Sequence, residues 1–420
     1  MKTFLRIKAI KMFISLAMLF TLVASFPQQT SAAGTTSFKD VTNHWAKSSI
    51  LAAASMGLIG GYSDGTFKPN ATITRAEFVE ILARSMNISS ENATPFTDMT
   101  TNWARDSVSA AVQAGIIVPS EYGQKFEPTK PITRLDVAKM VSRSLATKED
   151  YQPYIELLGG LHDFDLPFTD YKEISDKDRP YVALAFGTGI IGGYADDSFG
   201  LNKTTNRAEA TVMLLRLQNV KQSNPESFMA LKELKSVAEH GTNFFAFEND
   251  KWEWKLEQDL TEKPITIDHY AYSGVVDRFY YVTPFRDYES IYERVYFKDR
   301  NNWTEDSSKW YKEFDGFLTA RIKITPKKDQ SRTTLMNSLW FSESFQPTVL
   351  DIDKLQDEKF GWYSVFTTKM TESWTLKKGV EYDWIVGAKV DSSDGWNAIR
   401  LAAEGAVRGS NSWVLYYDGK

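Results

Sequence analysis

The stretch Ile73-Thr74-Arg75-Ala76-Glu77 decides the fold of the first half of this chain. It opens an apolar-periodic helix that ends at Met86, and it follows a glycine-aromatic turn at residues 60–67. The same pattern returns as Ile132-Thr133-Arg134-Leu135-Asp136 and as Thr205-Asn206-Arg207-Ala208-Glu209, and each arginine lies eight residues after a phenylalanine: Phe67, Phe126 and Phe199. One unit is therefore used three times.

The residues around each arginine predict where its helix begins. Thr74 and Glu77 have the T-x-x-E spacing of a capping box. Repeat two has a shorter version, Thr133 with Asp136, and repeat three has Asn206 as the cap with Glu209 three residues later.

The three copies differ outside this helix start. Repeat one has Trp45-Ala46 before its first helix and Gly61-Tyr62 in its turn. Repeat two keeps Trp103-Ala104 but changes its turn, whereas repeat three keeps Gly193-Tyr194 and lacks the tryptophan. Units of this length cannot each bury a full apolar face, so we expect them to pack into one pseudo-threefold body with the second helices near its axis.

Composition excludes several functional classes. The chain has 420 residues, a formal net charge of -5 and no cysteine, so disulfides, thiolate metal sites and cysteine nucleophiles are excluded. The acidic balance argues against nucleic acid as a partner. The four histidines have no H-x-x-x-H spacing, and we expect neither a metal site nor a cofactor.

Residues 1–33 have the order of a secretory signal. Basic residues occupy 1–11, an apolar run occupies 12–24, and Ser31-Ala32-Ala33 is a small-residue cleavage site. The apolar run is too short for a membrane anchor, which needs about 20 residues. We predict cleavage after Ala33, export, and no membrane span in the mature protein.

The motifs F-x-D, W-A, G-I-I-x-G-Y-x-D-G-x-F and I-T-R-A-E recur in order over about residues 38–218 and resemble the S-layer homology (SLH) domain family. The resemblance implies a three-repeat anchor of bacterial surface proteins that holds secondary cell-wall polysaccharide, often with pyruvylated sugars, in grooves between repeats. It assigns ligand-binding roles by motif position to Arg75, Arg134, Arg207, Trp45, Trp103, Gly61, Tyr62, Gly193 and Tyr194.

The position of the arginine also favours an anion on physical grounds. A helix N-terminus carries partial positive charge and backbone donors, and a guanidinium adds a bidentate fork for a carboxylate. The alternative is that Arg75 pairs with Asp40 or Asp64 and only holds the turn. Repeat one keeps every part of the motif, so its Arg75 groove is expected to bind ligand first.

Two further assignments depend on the same repeats. Asp40, Asp98 and Asp170 are predicted to accept hydrogen bonds in turns or caps. For Trp45 and Trp103, the sequence favours neither of two roles, packing in the core or stacking on a sugar.

Residues 219–246 read as a linker whose helical part is Glu226–Glu239, and residues 247–420 read as short strands separated by turns. The predicted strands are Arg278–Thr283, Arg294–Lys298, Phe317–Thr325, Ser338–Ser342, Trp362–Thr367, Ser373–Lys377, Tyr382–Val390, Ala398–Val407 and Trp413–Tyr417. In Phe317–Thr325, apolar and polar residues alternate strictly, which predicts a strand with one buried face and one solvent-exposed face.

The predicted class is therefore an α+β multidomain protein with a helical SLH body and an all-β, jelly-roll-like sandwich. The predicted boundaries are 1–33 for the signal peptide, 34–90, 91–147 and 168–218 for the repeats, 148–167 for the inter-repeat loop, 219–246 for the helical linker and 247–420 for the β-rich domain.

We predict a non-enzymatic, wall-anchored surface protein whose β-rich domain has a binding or structural role toward other surface glycans or proteins. The alternative is a wall-anchored polysaccharide-active enzyme with a carboxylate pair drawn from Glu257, Asp259, Glu372 and Asp383. A third reading is a lattice-forming S-layer protein.

Overall fold

The computed structural model describes residues 37–247 and, further along the chain, 252–256, 260–262, 264–268, 270–282, 290–292, 316–331, 363–364, 375–390, 398–401 and 413–419. In this part of the chain, no helix is long and apolar enough to cross a bilayer.

Each repeat contributes two helices joined by the glycine-aromatic turn or its replacement. The first helices are α1 (Lys47–Ser55), α3 (Arg105–Gln113) and α6 (Arg179–Gly187). The second helices are α2 (Arg75–Met86), α4 (Arg134–Ala146) and α7 (Arg207–Val220). The short helix α5 (Tyr154–Leu157) lies between repeats two and three, and α8 (Met229–His240) follows repeat three. Short 3₁₀ turns occupy Thr97–Met99, Pro119–Glu121, Glu149–Tyr151, Leu158–Gly160, Asp163–Asp165, Tyr171–Glu173, Pro225–Ser227 and Phe244–Phe247.

A ring of three backbone hydrogen bonds closes the repeats on one another. The amide of Ile73 donates to the Thr205 carbonyl (3.1 Å), that of Thr205 to Ile132 (3.0 Å), and that of Ile132 to Ile73 (3.0 Å). All three residues are buried. Since each repeat donates to one neighbour and accepts from the other, the body is a closed pseudo-threefold ring.

Helix packing follows the same cyclic order. Each first helix packs on the second helix of the preceding repeat: α3 on α2, α6 on α4, and α1 on α7. Every repeat therefore covers the apolar face of its predecessor, and the three share one hydrophobic core.

An aspartate in each repeat holds the turn in place. The Asp40 carboxylate accepts from the amides of Phe67 (2.8 Å) and Lys68 (2.7 Å). Asp98 and Asp170 accept the equivalent pair of amides in their own repeats. The three aspartates are turn acceptors, as predicted.

The helix caps follow the sequence in two repeats. The boxes are complete at Thr74 with Glu77 and at Asn206 with Glu209, where each acid accepts from the cap amide. In repeat two, the Thr133 side chain accepts from the Asp136 amide, but the Thr133 amide does not donate to the Asp136 carboxylate. The predicted shorter box is wrong, because aspartate lacks the methylene that lets glutamate reach back to the cap.

The described strands of the C-terminal half form three sheets. The strands are β1 (Trp252–Leu256), β2 (Ile265–Asp268), β3 (Tyr272–Val282), β4 (Gly316–Pro326), β5 (Gln330–Ser331), β6 (Tyr363–Ser364), β7 (Thr375–Leu376), β8 (Tyr382–Val390), β9 (Ala398–Leu401) and β10 (Trp413–Gly419). The largest sheet has the order β2-β3-β4-β8-β6, antiparallel except for the parallel β6–β8 pair. The others are β1-β10-β9 and β5-β7. The predicted strands Arg294–Lys298 and Ser338–Ser342 lie outside the described residues, and the sandwich stays a prediction.

Strand β4 corrects one sequence expectation. Ala320, Ile322 and Ile324 are buried on one face, as the alternation predicts. Thr319 and Arg321 on the other face are buried as well, so this half of the face is covered, whereas Lys323 and Thr325 are half-exposed. The reason is that the Arg321 guanidinium lies over the ring of Phe164, which belongs to the inter-repeat loop.

Helix α8 is a packed element rather than a free linker. Leu231, Leu234 and Val237 form its buried face, and Leu231 lies against Gly187 of α6. Glu233 on this helix is fully buried and accepts from the side chain of Ser290 (2.6 Å) and the amide of Ile291 (3.0 Å). The helix therefore joins repeat three to the C-terminal half through buried contacts.

The inter-repeat loop makes a second buried contact with the C-terminal half. Asp165, fully buried, accepts from Nε of Arg278 (3.1 Å) and from the Tyr280 hydroxyl (2.7 Å). Its backbone carbonyl accepts from the Tyr292 hydroxyl (3.0 Å). We call this cluster, Asp165 with Arg278, Tyr280 and Tyr292, the joint.

Candidate functional site

The three predicted arginines each enter the turn of the next repeat. Arg75 of repeat one reaches repeat two, Arg134 of repeat two reaches repeat three, and Arg207 of repeat three reaches repeat one. We name these contacts the Arg75, Arg134 and Arg207 junctions. Each is built by a guanidinium of one repeat and the carbonyls and tyrosine of the next.

The Arg207 junction joins Arg207 to the Gly60–Phe67 turn. Nε donates to the Phe67 carbonyl (2.9 Å) and Nη2 to the Gly60 carbonyl (3.1 Å). The guanidinium lies over the Tyr62 ring, 5.0 Å from its centroid. Arg207 is half-buried, and within the described residues no carboxylate pairs with it. Its charge and its Nη1 donors therefore remain available to a ligand.

The Arg134 junction repeats this geometry with greater burial. Nε of Arg134 donates to the Phe199 carbonyl (2.8 Å), Nη2 donates to the Gly192 carbonyl, and the guanidinium lies 4.6 Å from the Tyr194 ring centroid. Arg134 is only 6% exposed, and this burial lowers its pKa. A cavity of about 370 Å³ adjoins the junction; its lining includes Gly192, Tyr194, Phe168, Ala230 and Ile291.

The Arg75 junction differs in charge. Nη1 of Arg75 donates to the Phe126 carbonyl (3.1 Å) and to Glu127 (3.0 Å), and Nη2 donates to Asp136 (3.3 Å). The guanidinium also lies 5.1 Å from the centroid of the Tyr122 ring. Arg75 is therefore paired with two carboxylates of repeat two.

The predicted alternative partners of Arg75 are wrong. Asp40 is held by its turn amides, and Asp64 accepts from the amide of Thr66 (2.9 Å) and from its hydroxyl (2.6 Å). The turn that Arg75 supports belongs to the next repeat, which the sequence spacing does not reveal.

The predicted use of helix N-terminal amides is also wrong. The amide of Arg75 donates to the Lys130 carbonyl (2.9 Å), and that of Ala76 donates to the Pro128 carbonyl (3.0 Å). The equivalent amides of α4 and α7 donate in the same way to their neighbouring repeats. The backbone donors are thus consumed by ring closure, and the guanidinium alone remains for an anion.

The two predicted glycines have a packing role. A Cβ at Gly61 would lie 2.4 Å from the Phe38 ring and 2.7 Å from the Thr66 carbonyl oxygen. A Cβ at Gly193 would lie 3.2 Å from the equivalent ring of Phe168. These glycines let the phenylalanine approach the turn that carries the tyrosine.

Gly61→Ala is therefore expected to lower the free energy of unfolding by about 1–3 kcal/mol through overpacking. Gly60→Ala is the matched control, since a Cβ there meets nothing within 4 Å. Chemical denaturation of both variants measures the difference, and equal stability would contradict the packing role.

The tryptophans are exposed rather than buried. Trp45 is 66% exposed and Trp103 is 65% exposed. Their backbones are fixed next to the first helices, because the Ala46 amide donates to the His44 ring (3.2 Å) and the Ala104 amide to Asn102 (2.9 Å). Core packing is excluded for both, and no ring contact joins either to an arginine among the described residues.

Two lysines that the sequence reasoning missed add charge at two junctions. Nζ of Lys68 lies 4.1 Å from the Tyr62 ring centroid, and Nζ of Lys203 lies 3.8 Å from that of Tyr194. In repeat two the position of Lys68 is occupied by Glu127. Alignment of the residue after the repeated phenylalanine carries this signal for Lys68, whereas Lys203 lies four residues after Phe199.

A second set of arginines, nine residues after the first, was also missed. Arg84, Arg143 and Arg216 donate to carbonyls near the end of the first helix of their own repeat. They stabilise their own repeat, and Arg143 also contacts repeat three, because its guanidinium lies 4.5 Å from the centroid of the Tyr181 ring.

The predicted catalytic candidates form no described pair. Glu257, Asp259 and Glu372 lie outside the described residues, whereas Asp383 is in β8 and pairs in register with Lys323.

Residues 37–79, 95–138 and 167–211 match the family model of the S-layer homology domain. The chain carries three tandem SLH domains, as its motifs predict. SLH domains are anchoring modules that bind cell-wall polysaccharide.

The chain is similar to both surface-layer proteins and enzymes. The amylopullulanase of Thermoanaerobacterium thermosulfurigenes is 32% identical over 182 residues, which are 43% of this chain and 9% of that protein. The S-layer protein EA1 of Bacillus anthracis is 28% identical over 190 residues, 44% of this chain and 20% of that protein. The surface-layer 125 kDa protein of Lysinibacillus sphaericus is 25% identical over 218 residues, 51% of this chain and 17% of that protein.

The matches thus span less than a quarter of the length of each of these relatives. The three SLH domains and the surface relatives locate the chain at the cell-wall or S-layer surface, as a wall-anchored protein.

Proposed function

We propose that the SLH body anchors this chain by binding an acidic secondary cell-wall polysaccharide whose sugars carry pyruvyl ketals. A pyruvyl ketal places a fixed carboxylate on an otherwise neutral sugar. Such a ligand needs a cation for the carboxylate and aromatic or hydrogen-bonding surfaces for the ring.

The observation that carries the proposal is the Arg207 junction. Its guanidinium is held by two carbonyls, shares the Tyr62 ring with Lys68, and has no carboxylate partner in the described chain. Two cations beside a partly exposed aromatic ring form a preorganised site for a sugar acid. The exposed Trp45 provides a further stacking surface on the same repeat.

The Arg134 junction supports the same role through Arg134 itself, since Lys203 beside Tyr194 is paired with Asp196 (3.8 Å). The order expected from sequence, with the Arg75 groove first, is reversed in our proposal. The motif of repeat one is complete, but its arginine is neutralised by the acids of repeat two.

For residues 247–420 we propose a binding or structural role outward from the wall, toward surface glycans or proteins. The joint and Glu233 support this, because they attach that half to the inter-repeat loop and to α8 through buried contacts rather than a free linker.

The proposal is tested by sedimenting the chain with purified cell walls before and after extraction of their secondary polysaccharide. Binding is expected to intact walls and to be lost on extracted walls, since the anchoring surface recognises the polysaccharide. Equal retention on both preparations would contradict it. Release of sugar from the intact walls by the chain would instead favour the enzymatic alternative.

A further inference from the structure

Repeat two places two carboxylates where the other repeats place none. Glu127 and Asp136 lie 3.0 and 3.3 Å from the guanidinium of Arg75. Among the described residues, no carboxylate lies within ion-pair distance of Arg134 or Arg207. The three junctions therefore share the contact with the carbonyl of the repeated phenylalanine and differ in net charge.

The difference at Asp136 has a local cause. In repeats one and three this position is glutamate, and its carboxylate accepts from the cap amide at 2.8 Å in Glu77 and 2.9 Å in Glu209. Asp136 is one methylene shorter and does not close the box. Its carboxylate turns instead toward Arg75, with 18% of the side chain exposed.

The difference at Glu127 is a reversal of charge. The equivalent residue is Lys68 in repeat one and Gly200 in repeat three. Glu127 keeps the positive φ of Lys68 (56° for both), so the backbone is the same and only the charge changes. Lys130 first and Arg75 second hold the pKa of the Glu127 carboxyl below its ordinary value.

We infer that Glu127 and Asp136 occupy the place of a ligand carboxylate at the Arg75 junction, so that acidic sugars bind only at the Arg134 and Arg207 junctions. The inference rests on the proposed function. An incoming carboxylate at Arg75 would have to displace two internal acids or lie beside them, and like charges at such distances repel. The Arg75 junction is thereby limited to neutral sugars.

The test counts binding sites for a defined probe, a synthetic hexopyranoside with a 4,6-pyruvyl ketal, by calorimetric titration of the full chain. The wild-type chain is expected to bind two equivalents. Glu127→Gln with Asp136→Asn keeps the side-chain shapes, removes both charges and is expected to bind three. Glu149→Gln with Asp150→Asn, at two exposed positions, is the control with the same change of net charge and should bind two.

A second variant covers the case in which the first does not fold. Glu127→Lys with Asp136→Glu gives repeat two the residues of repeat one at both positions, and it too should bind three equivalents. Three equivalents in the wild type, or two in every variant that folds, would overturn the inference alone. A wild-type chain that binds no probe would overturn the proposed function and the inference together.

Discussion

Asp165→Ala is expected to lower the free energy of unfolding by about 3–5 kcal/mol, because it leaves a buried arginine without its counter-charge. Arg278 is 1% exposed and Asp165 is fully buried. Burial lowers the Arg278 pKa, but Asp165, Tyr280 and Asp277 together more than offset it, and the pKa is raised. The variant also removes the acceptor of the Tyr280 hydroxyl.

Urea unfolding followed by circular dichroism measures the effect. Asp176→Ala is the matched control, since Asp176 also pairs with a buried arginine, Arg179, but its own side chain is 94% exposed. An exposed carboxylate contributes about 0–1 kcal/mol. If the two variants were equally stable, the joint would not hold the C-terminal half to the SLH body.

Arg207→Ala is expected to weaken binding to the wall polysaccharide by about 10–150-fold. The range corresponds to the loss of a hydrogen-bonded charge, about 1.5–3 kcal/mol. The backbone amides near Arg207 already donate to repeat one, so no other donor of that helix end replaces the guanidinium.

Arg216→Ala is the control for this prediction, because it removes the same charge from the same helix. Arg216 is exposed and donates weakly, at 3.4 Å, to carbonyls of its own repeat. Calorimetric titration with purified polysaccharide measures the affinities of the Arg207→Ala and Arg216→Ala variants. Equal losses would mean that net charge, rather than the Arg207 junction, governs binding.

Local patterns made much of the SLH body predictable. The capping boxes at Thr74 with Glu77 and at Asn206 with Glu209 depend on residues three apart. The hydrogen bonds from the turn amides to Asp40 recur at the equivalent aspartate of each repeat. Such contacts can be predicted from the sequence of one repeat, and their recurrence in three copies strengthens the prediction.

The partners of the arginines could not be predicted in the same way. Arg75 pairs with Asp136, which lies 61 residues away in the next repeat, and Arg207 reaches back 140 residues to Phe67. Ring closure decides these pairings, and a motif does not encode the direction in which a ring closes. The same closure consumes the helix N-terminal amides that the sequence offered for an anion.

In the C-terminal half, the alternation of apolar and polar residues predicted the positions of strands better than it predicted which of their side chains are buried. Strand β8 occupies the predicted range Tyr382–Val390, and β4 extends the predicted range by one residue at each end. Strands β1, β2 and β5 were missed. The burial of Thr319 and Arg321 depends on Phe164 and Tyr280, whose approach comes from tertiary packing rather than from alternation along the strand.

In the proposed anchoring function, the Arg207 guanidinium recognises the ketal carboxylate of the wall polysaccharide. The most direct measurement compares the affinities of the wild-type chain and Arg207→Ala for the polysaccharide before and after mild acid removal of its ketals. Ketal removal is expected to weaken binding by the wild type at least tenfold and binding by Arg207→Ala much less, since the variant has already lost the same interaction. Equal weakening of the two proteins would contradict it.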